Sequence, residues 1–418
     1  MAVPVEVAAQ AFSPLIGLAP MMRHVFEGRD LQPLATALLK RAGDDPDDVN
    51  ALMDCVTVMQ LAGHKELAMT MQQQAIAQQS LYTFAPKAQV GLKLLVIMGP
   101  GDLMANTPVE LLLEDSDVEL SLLYLSLDTP WPEMVPEHDV LLVAIAESNA
   151  NQELLRQVGL MTANWPRPVI NLPQRIAVLS RDGVCAVLQN CPGVDMPLTA
   201  RAERATVEQL AQGQIPLRSL LSDADFPLII RPLGSHAGTQ LEKMNAPQDL
   251  LPYLQQVSAE EFYLSRFVDY SGSDGQFRKY RVAVVEGKPY ICHYAISSHW
   301  MIHYLNAGMG ESAEKRAEEA ACMEHFDQEF GLRHQAAILA IDQRMGLPYL
   351  GIDCAETQDG KLLIFEVDNA MIVHALDPVD LYPYKKPAME KVFKAFRQLL
   401  EHARHHPDTP AASAECVS

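Results

Sequence analysis

The stretch from residue 346 to 374 constrains the fold most, because two of its apolar runs carry acidic side chains. The runs are YLGIDCAET and KLLIFEVDN, and a turn at residues 358–360 joins them. This pattern predicts a β-hairpin. In register, the hairpin brings Asp353 near Glu366, and Asp368 lies two residues further along the same face.

These side chains form a candidate cation site. Three carboxylates on one buried face, with the carboxamide of Asn369 beside them, repel one another unless a cation holds them. Oxygen-only ligands of this kind suit Mg²⁺ that is shared with substrate phosphates. A single acidic residue on such a hairpin is usually solvated. The combination of Asp353, Glu366, Asp368 and Asn369 within apolar runs favours the metal site instead.

The composition is that of an ordinary soluble globular protein. With 418 residues the chain is long enough for two or three domains, and 49% of them are hydrophobic and 20% charged. The net charge of -21 argues against a nucleic-acid-binding surface, because neutralising phosphates requires clustered Lys and Arg. We therefore expect no nucleic-acid partner.

The cysteines and the apolar segments bear on the compartment. Seven cysteines, scattered and without a CxxC pair, indicate neither a disulfide framework nor a zinc site. The apolar start lacks a basic segment, and no later run reaches the ~18 apolar residues that a membrane span needs. These features predict a reducing, cytoplasmic location and no membrane partner.

Residues 1–85 are predicted to form a helical region. Apolar residues recur at spacings of three and four from Ser13 to about Tyr82. The segment at 47–79 resembles a single tetratricopeptide hairpin. A lone hairpin usually packs on its neighbour, since stacked repeats are needed to form a groove. Docking of a protein partner and homodimer formation both stay open for this region.

Residues 86–175 are predicted to form a small parallel α/β domain. Apolar strands alternate with helical or loop segments, and they are expected at 93–98, 118–125, 139–147 and 167–171. The first strand runs into Gly99-Pro100-Gly101-Asp102 and then a helix. Such junctions bind anionic groups, so Gly99 and Asp102 are candidate substrate contacts, with a plain tight turn as the alternative.

The hairpin resembles the last active-site strands of the ATP-grasp ligases, which include D-alanine:D-alanine ligase and glutathione synthetase. In that family an Asp or Glu, followed by Glu-x-Asn, binds the Mg²⁺ of Mg-ATP. The matching positions are Asp353, Glu366 and Asp368. Asp stands where the family usually has Asn, and Asn369 comes one place later, so either residue is a candidate for the last ligand.

The resemblance extends from about residue 92 to 400 through further motifs in the family's order. It implies a phosphate-binding residue near the end of a short helix, where Arg181 and Arg175 are the candidates. It also implies that Arg231, at the end of the buried strand PLIIRP, replaces the family's usual Lys. The loop of small residues that follows offers backbone amides to phosphates, with Ser235, His236 and Gly238 as its candidate contacts.

The segment EEFYLSRFVD resembles the family's interdomain hinge. The resemblance implies that the backbone of Arg266 and Val268 receives adenine and that Asp269 binds the ribose hydroxyls. A strand that merely leads into a loop is the alternative.

Two arginines on one predicted strand are expected to face opposite ways. In FRKYRVAVV, residues alternate between the two faces, so Arg281 can face a site while Arg278 faces away. The strand resembles the family's Asp-x-Arg, whose Arg stabilises the transferred phosphoryl group, although Lys279 replaces the acid. The resemblance makes Arg281 the candidate catalytic residue.

Several histidines follow the last two strand pairs. The spacing of His293, His299 and His303 is inconsistent with a transition-metal site, which favours structural or acceptor-contacting roles. His293, His303 and His374 are therefore candidate substrate contacts.

Together these patterns predict an α/β protein of the ATP-grasp type. Residues 176–405 would form a two-lobed ATP-grasp domain, and residues 406–418 a disordered tail. The implied activity uses ATP and Mg²⁺ to activate a small-molecule or peptide carboxylate as an acyl phosphate and join it to an amine. Alternatives are a nucleotide-binding interaction protein and a kinase that stops at phosphoryl transfer.

Overall fold

The computed structural model describes residues 13–129, 131–235 and 238–406. The predicted site residue His236 and the predicted tail from residue 407 onward lie outside the described residues, as does the start of the helical region. The α/β class is confirmed: helices come first, then a small parallel sheet, then two further lobes, each with its own sheet.

The N-terminal region is helical, as predicted. Its helices are α1 (Leu18–Phe26), α2 (Gln32–Asp44), α3 (Val49–Leu61) and α4 (Lys65–Gln78). Asp48 caps α3 by accepting a hydrogen bond from the Ala51 amide at 2.9 Å. Helices α3 and α4 pack against each other as a helical hairpin.

The small sheet is parallel except at one edge. Its elements are β1 (Leu81–Phe84), β2 (Leu92–Met98), α5 (Val109–Leu113), β3 (Val118–Tyr124), β4 (Val140–Val143), α6 (Gln152–Thr162) and β5 (Val169–Ile170). The strand order is β1-β3-β2-β4-β5, and only β1 runs antiparallel.

Strand β1 corrects the sequence prediction, which extended the helical pattern to about Tyr82. Tyr82 is buried, and its hydroxyl donates to the Ala75 carbonyl at 3.3 Å. The strand exists because it pairs with β3, almost forty residues later. Four residues without a local partner carry too little periodicity to predict such a pairing.

The first lobe carries an antiparallel sheet of order β7-β10-β8-β9. Its elements, after the short helix α7 (Pro173–Ile176), are α8 (Arg181–Leu188), β6 (Val194–Asp195), β7 (Thr199–Glu203), α9 (Arg204–Ala211), β8 (Leu228–Pro232), β9 (Glu242–Met244), α10 (Leu250–Gln256) and β10 (Glu261–Arg266). Strand β6 does not join this sheet but pairs with the second lobe.

The second lobe carries a sheet of order β12-β11-β13-β14-β6. Its elements are β11 (Phe277–Val285), β12 (Lys288–Ser297), α11 (Ala313–His325), α12 (Phe330–Arg333), α13 (Gln335–Met345), β13 (Tyr349–Glu356), β14 (Leu362–Asp368) and α14 (Lys385–His405). Strands β13 and β14 form the predicted hairpin, and Gly346 ends α13 at a φ of +63°.

Strand β2 shows how the small sheet is packed on both faces. Leu94 and Val96 belong to a core shared with the N-terminal helices and α14. Leu95 and Ile97 belong to a second core shared with α6 and the second lobe. Because successive side chains point to opposite faces, one strand serves both cores. The helical region therefore packs on one face of the small sheet.

The loop after β2 is held by the helical region. The Gln72 Oε1 accepts from the Gly101 amide at 2.8 Å, and its Nε2 donates to the Gly101 carbonyl at 3.0 Å. Gln60 donates to the same carbonyl at 3.1 Å. Asp102 lies 3.5 Å from Lys65. These contacts fix the loop from the side of α3 and α4.

Within the ranges that the structure describes, no helix is long and apolar enough to cross a membrane.

We expect Gln72→Ala to lower the free energy of unfolding by about 1–3 kcal/mol, because the Gly101 amide loses its partner and the Gly101 carbonyl keeps only Gln60 inside a mostly buried contact. Gln73→Ala is the matched control: Gln73 is the exposed neighbour on the same helix, and its loss should stay within about 0.5 kcal/mol. Urea titrations followed by circular dichroism measure both, and equal losses would contradict this role of Gln72.

Candidate active site

A cavity of about 320 Å³ is lined by residues of both lobes. It is lined by most of the residues predicted to contact nucleotide, phosphate or metal, which are Arg181, Arg231, Gly238, Arg266, Val268, Arg281, Asp353, Glu366 and Asp368. The volume lies in the range of ligand pockets, so the structure brings these residues to one candidate site.

The predicted cross-strand pair in the hairpin is confirmed. Asp353 on β13 lies directly opposite Glu366 on β14, with a register shift immediately after Asp353. On the other side, β13 pairs with β11 so that Asp353 lies opposite Arg281. Three neighbouring strands therefore place Arg281, Asp353 and Glu366 side by side across the sheet.

Asp353 is held between two cations. Its Oδ2 lies 2.6 Å from the Lys279 Nζ, and its oxygens accept from the Arg281 guanidinium at 2.8 and 3.0 Å. The carboxylate is 2% exposed. Burial alone would raise the pKa of Asp353, but the charges of Arg281 and Lys279 lower it well below its usual range. Both carboxylate oxygens are thus committed to these cations.

Lys279 is a site residue that the sequence analysis missed. It stands where the ATP-grasp resemblance places an acid, so that motif marks it only as a departure. The alternation that places Arg281 on the cavity face places Lys279 there too, since the two are separated by one residue. Arg278 faces away, as predicted, and pairs with Asp274 and Glu318.

Glu366 pairs with Arg181, which begins α8. Their closest atoms are 2.6 Å apart, and Arg181 also donates to the Phe365 carbonyl at 3.0 Å. Burial tends to raise the pKa of Glu366, but the Arg181 charge lowers it below its usual value. The other candidate, Arg175, lies beside Gly346, where an added Cβ would stand 3.1 Å from the Arg175 Nε. The structure therefore brings Arg181, and not Arg175, to the cavity.

Arg231 and the loop after β8 contact each other directly. The Arg231 Nε donates to the Ser235 Oγ at 3.0 Å, and another guanidinium nitrogen donates to the Ser235 carbonyl. Burial and the nearby Arg181 charge lower the pKa of Arg231 to about 10. Gly238 has a φ of +74°, and an added Cβ would lie 2.9 Å from the Met301 Sδ, so only glycine fits there without strain.

The predicted hinge lies at the end of β10. Strand β7 pairs with β10 only as far as Ser265, while the pairing with β8 continues to Arg266. Arg266 and Val268 line the cavity. Asp269 does not line it and instead accepts a hydrogen bond from the Ser271 amide at 3.0 Å. The structure thus brings two of the three hinge residues to the cavity.

Asp368 and Asn369, the two candidates for the last metal ligand, point in different directions. Asp368 lines the cavity, and burial together with the Glu366 charge raises its pKa to about 6. Asn369 is fully buried and donates to the Ile145 carbonyl at 3.1 Å, on the side of the small domain. The structure therefore brings Asp368 to the cavity and places Asn369 in an interdomain contact.

Only some of the residues predicted to bind Mg²⁺ are placed to do so. Among the described residues, no group of three or more His, Cys, Asp or Glu side chains is arranged to hold a metal. Magnesium shared with phosphates needs only one or two protein carboxylates. Asp353 is already neutralised by Lys279 and Arg281, whereas Asp368 and Glu366 repel each other. The donor set thus fits Mg²⁺ at Glu366 and Asp368.

The loop residues Gly99 and Asp102 do not line the cavity. The Gly99 backbone is bound by Asn106, whose Oδ1 accepts from its amide at 2.7 Å and whose Nδ2 donates to its carbonyl at 2.8 Å. Met104, two residues beyond Asp102, lines the cavity instead. The loop therefore reaches the site through Met104, an apolar residue that nothing in the sequence marks as a site residue.

A second cavity of about 390 Å³ adjoins the first. It is lined by the predicted substrate residues His293, His303 and His374. The two cavities share a wall, which is formed by Lys279, Arg281 and Asp353 together with His303 and Ile372.

Helix α1 also lines this second cavity, through Met22 and Phe26. Sequence reasoning missed both residues. An apolar helix face does not reveal which surface it covers.

Comparisons with known proteins give structural likeness only. No protein-family model and no curated protein matches the sequence. The chain is similar in fold to ATP-grasp ligases.

Three solved structures show this likeness. The VanG D-Ala:D-Ser ligase from Enterococcus faecalis is 13% identical over 75% of this chain and 100% of that chain, with a TM-score of 0.46. A RimK domain protein ATP-grasp from Sphaerobacter thermophilus is 14% identical over 74% and 99%, with a TM-score of 0.41. The D-alanine-D-alanine ligase from Coxiella burnetii is 12% identical over 75% and 96%, with a TM-score of 0.45.

We expect Asp353→Asn to lower the free energy of unfolding by about 3 kcal/mol, because it leaves Lys279 and Arg281 without their shared anion. Asp359→Asn on the same hairpin removes an exposed pair with Lys361 and should cost less than about 1 kcal/mol. Chemical denaturation of the two variants measures the difference. A loss at Asp353 no larger than the loss at Asp359 would show that the buried cluster does not stabilise the fold.

Proposed function

We propose that this chain is an ATP-dependent ligase that activates a carboxylate as an acyl phosphate and joins it to an amine. The observation that carries the proposal is the shared wall of the two cavities. Lys279 and Arg281 face both, so a phosphoryl group in one and a carboxylate in the other would meet at positive charge. The ATP-grasp resemblance of the motifs agrees with this reading.

In this proposal the first cavity binds ATP. Arg181, Arg231 and the amides of the loop after β8 bind the phosphates, which charge-assisted hydrogen bonds favour. The backbone at Arg266 and Val268 binds adenine. Asp269 stays the candidate for the ribose hydroxyls, although its side chain does not line the cavity.

Magnesium would be held by Glu366 with Asp368. When bound there, Mg²⁺ supplies positive charge that neutralises the phosphates. The role of this chain's own residues is to place the two acidic side chains two positions apart on one strand, so that both lie on one face.

The reaction proceeds in two displacements. A carboxylate oxygen of the substrate forms a bond to the γ-phosphorus, and the bond from that phosphorus to the bridging oxygen breaks, so ADP leaves. The amine then attacks the acyl carbon, inorganic phosphate leaves, and the amine loses a proton. Arg281 and Lys279 stabilise the charge on the transferring phosphoryl group. No side chain of the protein has to act as the nucleophile.

Trapping with hydroxylamine tests the proposal. We expect release of ADP to depend on an added carboxylate, and hydroxylamine to capture the acyl phosphate as a hydroxamate in place of the natural amine. A stable phosphorylated product without hydroxamate would show a kinase instead. Binding of ATP without turnover across small-molecule and peptide carboxylates would favour a nucleotide-binding interaction protein.

We expect Arg281→Ala to lower kcat on the order of 10²–10³-fold with little change in ATP affinity, the loss typical of one preorganised donor. Arg278→Ala is the matched control, because it removes the same charge from the same strand on the opposite face. Steady-state kinetics and nucleotide titration of both variants measure the contrast. Equal losses of kcat would mean that the assignment of Arg281 is mistaken.

We expect ATP binding to require Mg²⁺ and Glu366→Gln to abolish turnover while the fold is retained, because the variant removes one of two acidic ligands. Glu314→Gln, an exposed position on α11, should leave turnover unchanged. Nucleotide titrations with Mg²⁺ and with a chelator provide the measurement. Tight binding of ATP in the chelator would disprove the metal requirement.

A further inference from the structure

The second cavity carries positive charge on one wall and negative charge on another. The wall that it shares with the first cavity holds two cations, Lys279 and Arg281, against one carboxylate, Asp353. Asp377 and Glu311 line the second cavity and not the first. A ligand that fills the second cavity therefore meets a net positive charge at the wall shared with the first cavity, and carboxylates elsewhere.

Asp377 is nine-tenths buried and only half paired. Its side chain is 10% exposed, and its Oδ1 lies 3.2 Å from the Lys385 Nζ. Its Oδ2 is buried and has no hydrogen-bond partner among the described residues. Leaving a buried carboxylate oxygen without a donor is costly, so this atom marks a place for a ligand's donor group.

Lys385 does not supply a full counter-charge to Asp377, because its ammonium group also lies near the Glu319 carboxyl group. Its Nζ lies 3.7 Å from Glu319, which is fully buried. Burial raises the pKa of Glu319, against the Lys385 charge and the hydrogen bonds that Tyr384, Tyr304 and the Tyr294 amide donate to its oxygens. Two carboxyl groups therefore share one ammonium group.

Lys385 is fixed where it is. It is 2% exposed and donates to the Tyr304 hydroxyl. Its Nζ lies 4.0 Å from the centre of the Tyr304 ring and 4.4 Å from that of the Tyr382 ring. Because these contacts hold it on several sides, Lys385 cannot move wholly to Asp377.

The neighbouring histidines add polar atoms but not positive charge. Burial lowers the pKa of His374 to about 4 and that of His293 well below its usual value, so both rings are neutral near pH 7. The His374 Nδ1 accepts from the Leu376 amide at 3.2 Å, which leaves its proton on Nε2. The buried Nδ1 of His293 has no partner within the described part of the chain and offers a second acceptor.

Apolar side chains also line the cavity. Met22 and Phe26 come from α1, and Ile372 and Pro378 from the segment after β14. Phe26 packs edge-on against the His374 ring, with centroids 4.7 Å apart. These surfaces suit an apolar stem between two charged groups rather than a second anion.

We propose that the second cavity binds an amino carboxylate, with its carboxylate toward Lys279 and Arg281 and its ammonium group donating to Asp377 Oδ2. The inference rests on the proposed function, since the carboxylate placed in this way is the one that would attack ATP. Because Asp377 shares its ammonium partner with Glu319, an ammonium group on the ligand is favoured over a hydroxyl, which can donate but cannot neutralise.

Binding of matched pairs of small acids tests the inference without requiring turnover. The amino members are glycine, β-alanine, 4-aminobutanoate, 5-aminopentanoate and 6-aminohexanoate, and each is paired with the hydroxy acid of the same length. Calorimetric titration uses the full chain with Mg²⁺ and a non-hydrolysable ATP analogue. We expect at least one amino acid to bind about 10-fold or more tightly than its hydroxy partner.

Two variants assign this preference to Asp377. Asp377→Asn keeps an oxygen for Lys385 but removes the charge, and it should abolish the preference for the amino member. Asp380→Asn, an exposed acid three residues later, should retain it. Equal affinities within every pair, binding of no member, or a preference that survives in Asp377→Asn would each overturn the inference.

The design separates this inference from the proposed function. If the ATP analogue does not bind, the proposed function fails. If the analogue binds but no amino preference exists, only the assignment of the second cavity fails. If Asp377→Asn does not fold, the wild-type pairs still decide, because an absent preference overturns the inference and a present one supports it.

Discussion

The charge pairing at Asp353 is the interaction on which the site depends. Two cations on β11 and one anion on β13 lie in the wall between two cavities, and none of the three is stable there alone. The pairing therefore fixes the register of the strands and the electrostatics of the wall together. Both oxygens of Asp353 are engaged by its two cations, whereas Glu366 pairs with Arg181 through one oxygen, which moves the expected cation toward Glu366 and Asp368.

Much of the site was predictable because strand alternation is a strict physical rule. Opposed side chains on a hairpin must share a face, so Asp353 and Glu366 could be paired from the sequence alone, and Arg281 could be separated from Arg278. The two-lobed organisation was implied by the resemblance to ATP-grasp ligases and not by alternation. Lys279 was missed because the family motif, and not the alternation, guided its interpretation.

The remaining parts depend on contacts between distant segments. Strand β1 forms only because β3 offers an edge, and α1 reaches the second cavity only because the helical region packs on the small sheet. Asn369 looked like a metal ligand in the sequence, yet its amide bonds to Ile145, more than two hundred residues earlier. Local patterns describe what a segment can form and not what it will touch.

Lys385 is the first residue of the longest helix described, α14, and this position has a consequence for redesign. A cation at a helix N-terminus opposes the helix dipole, so the acids around it stabilise the helix start as well as the charge. Exchanging Lys385 for a neutral residue would remove its unfavourable interaction with the helix dipole. It would also leave Glu319 and Asp377 without the ammonium group between them. A single position thus links the docking of the C-terminal helix to the charge that the neighbouring cavity tolerates, and ligand preference could be altered from outside the cavity lining.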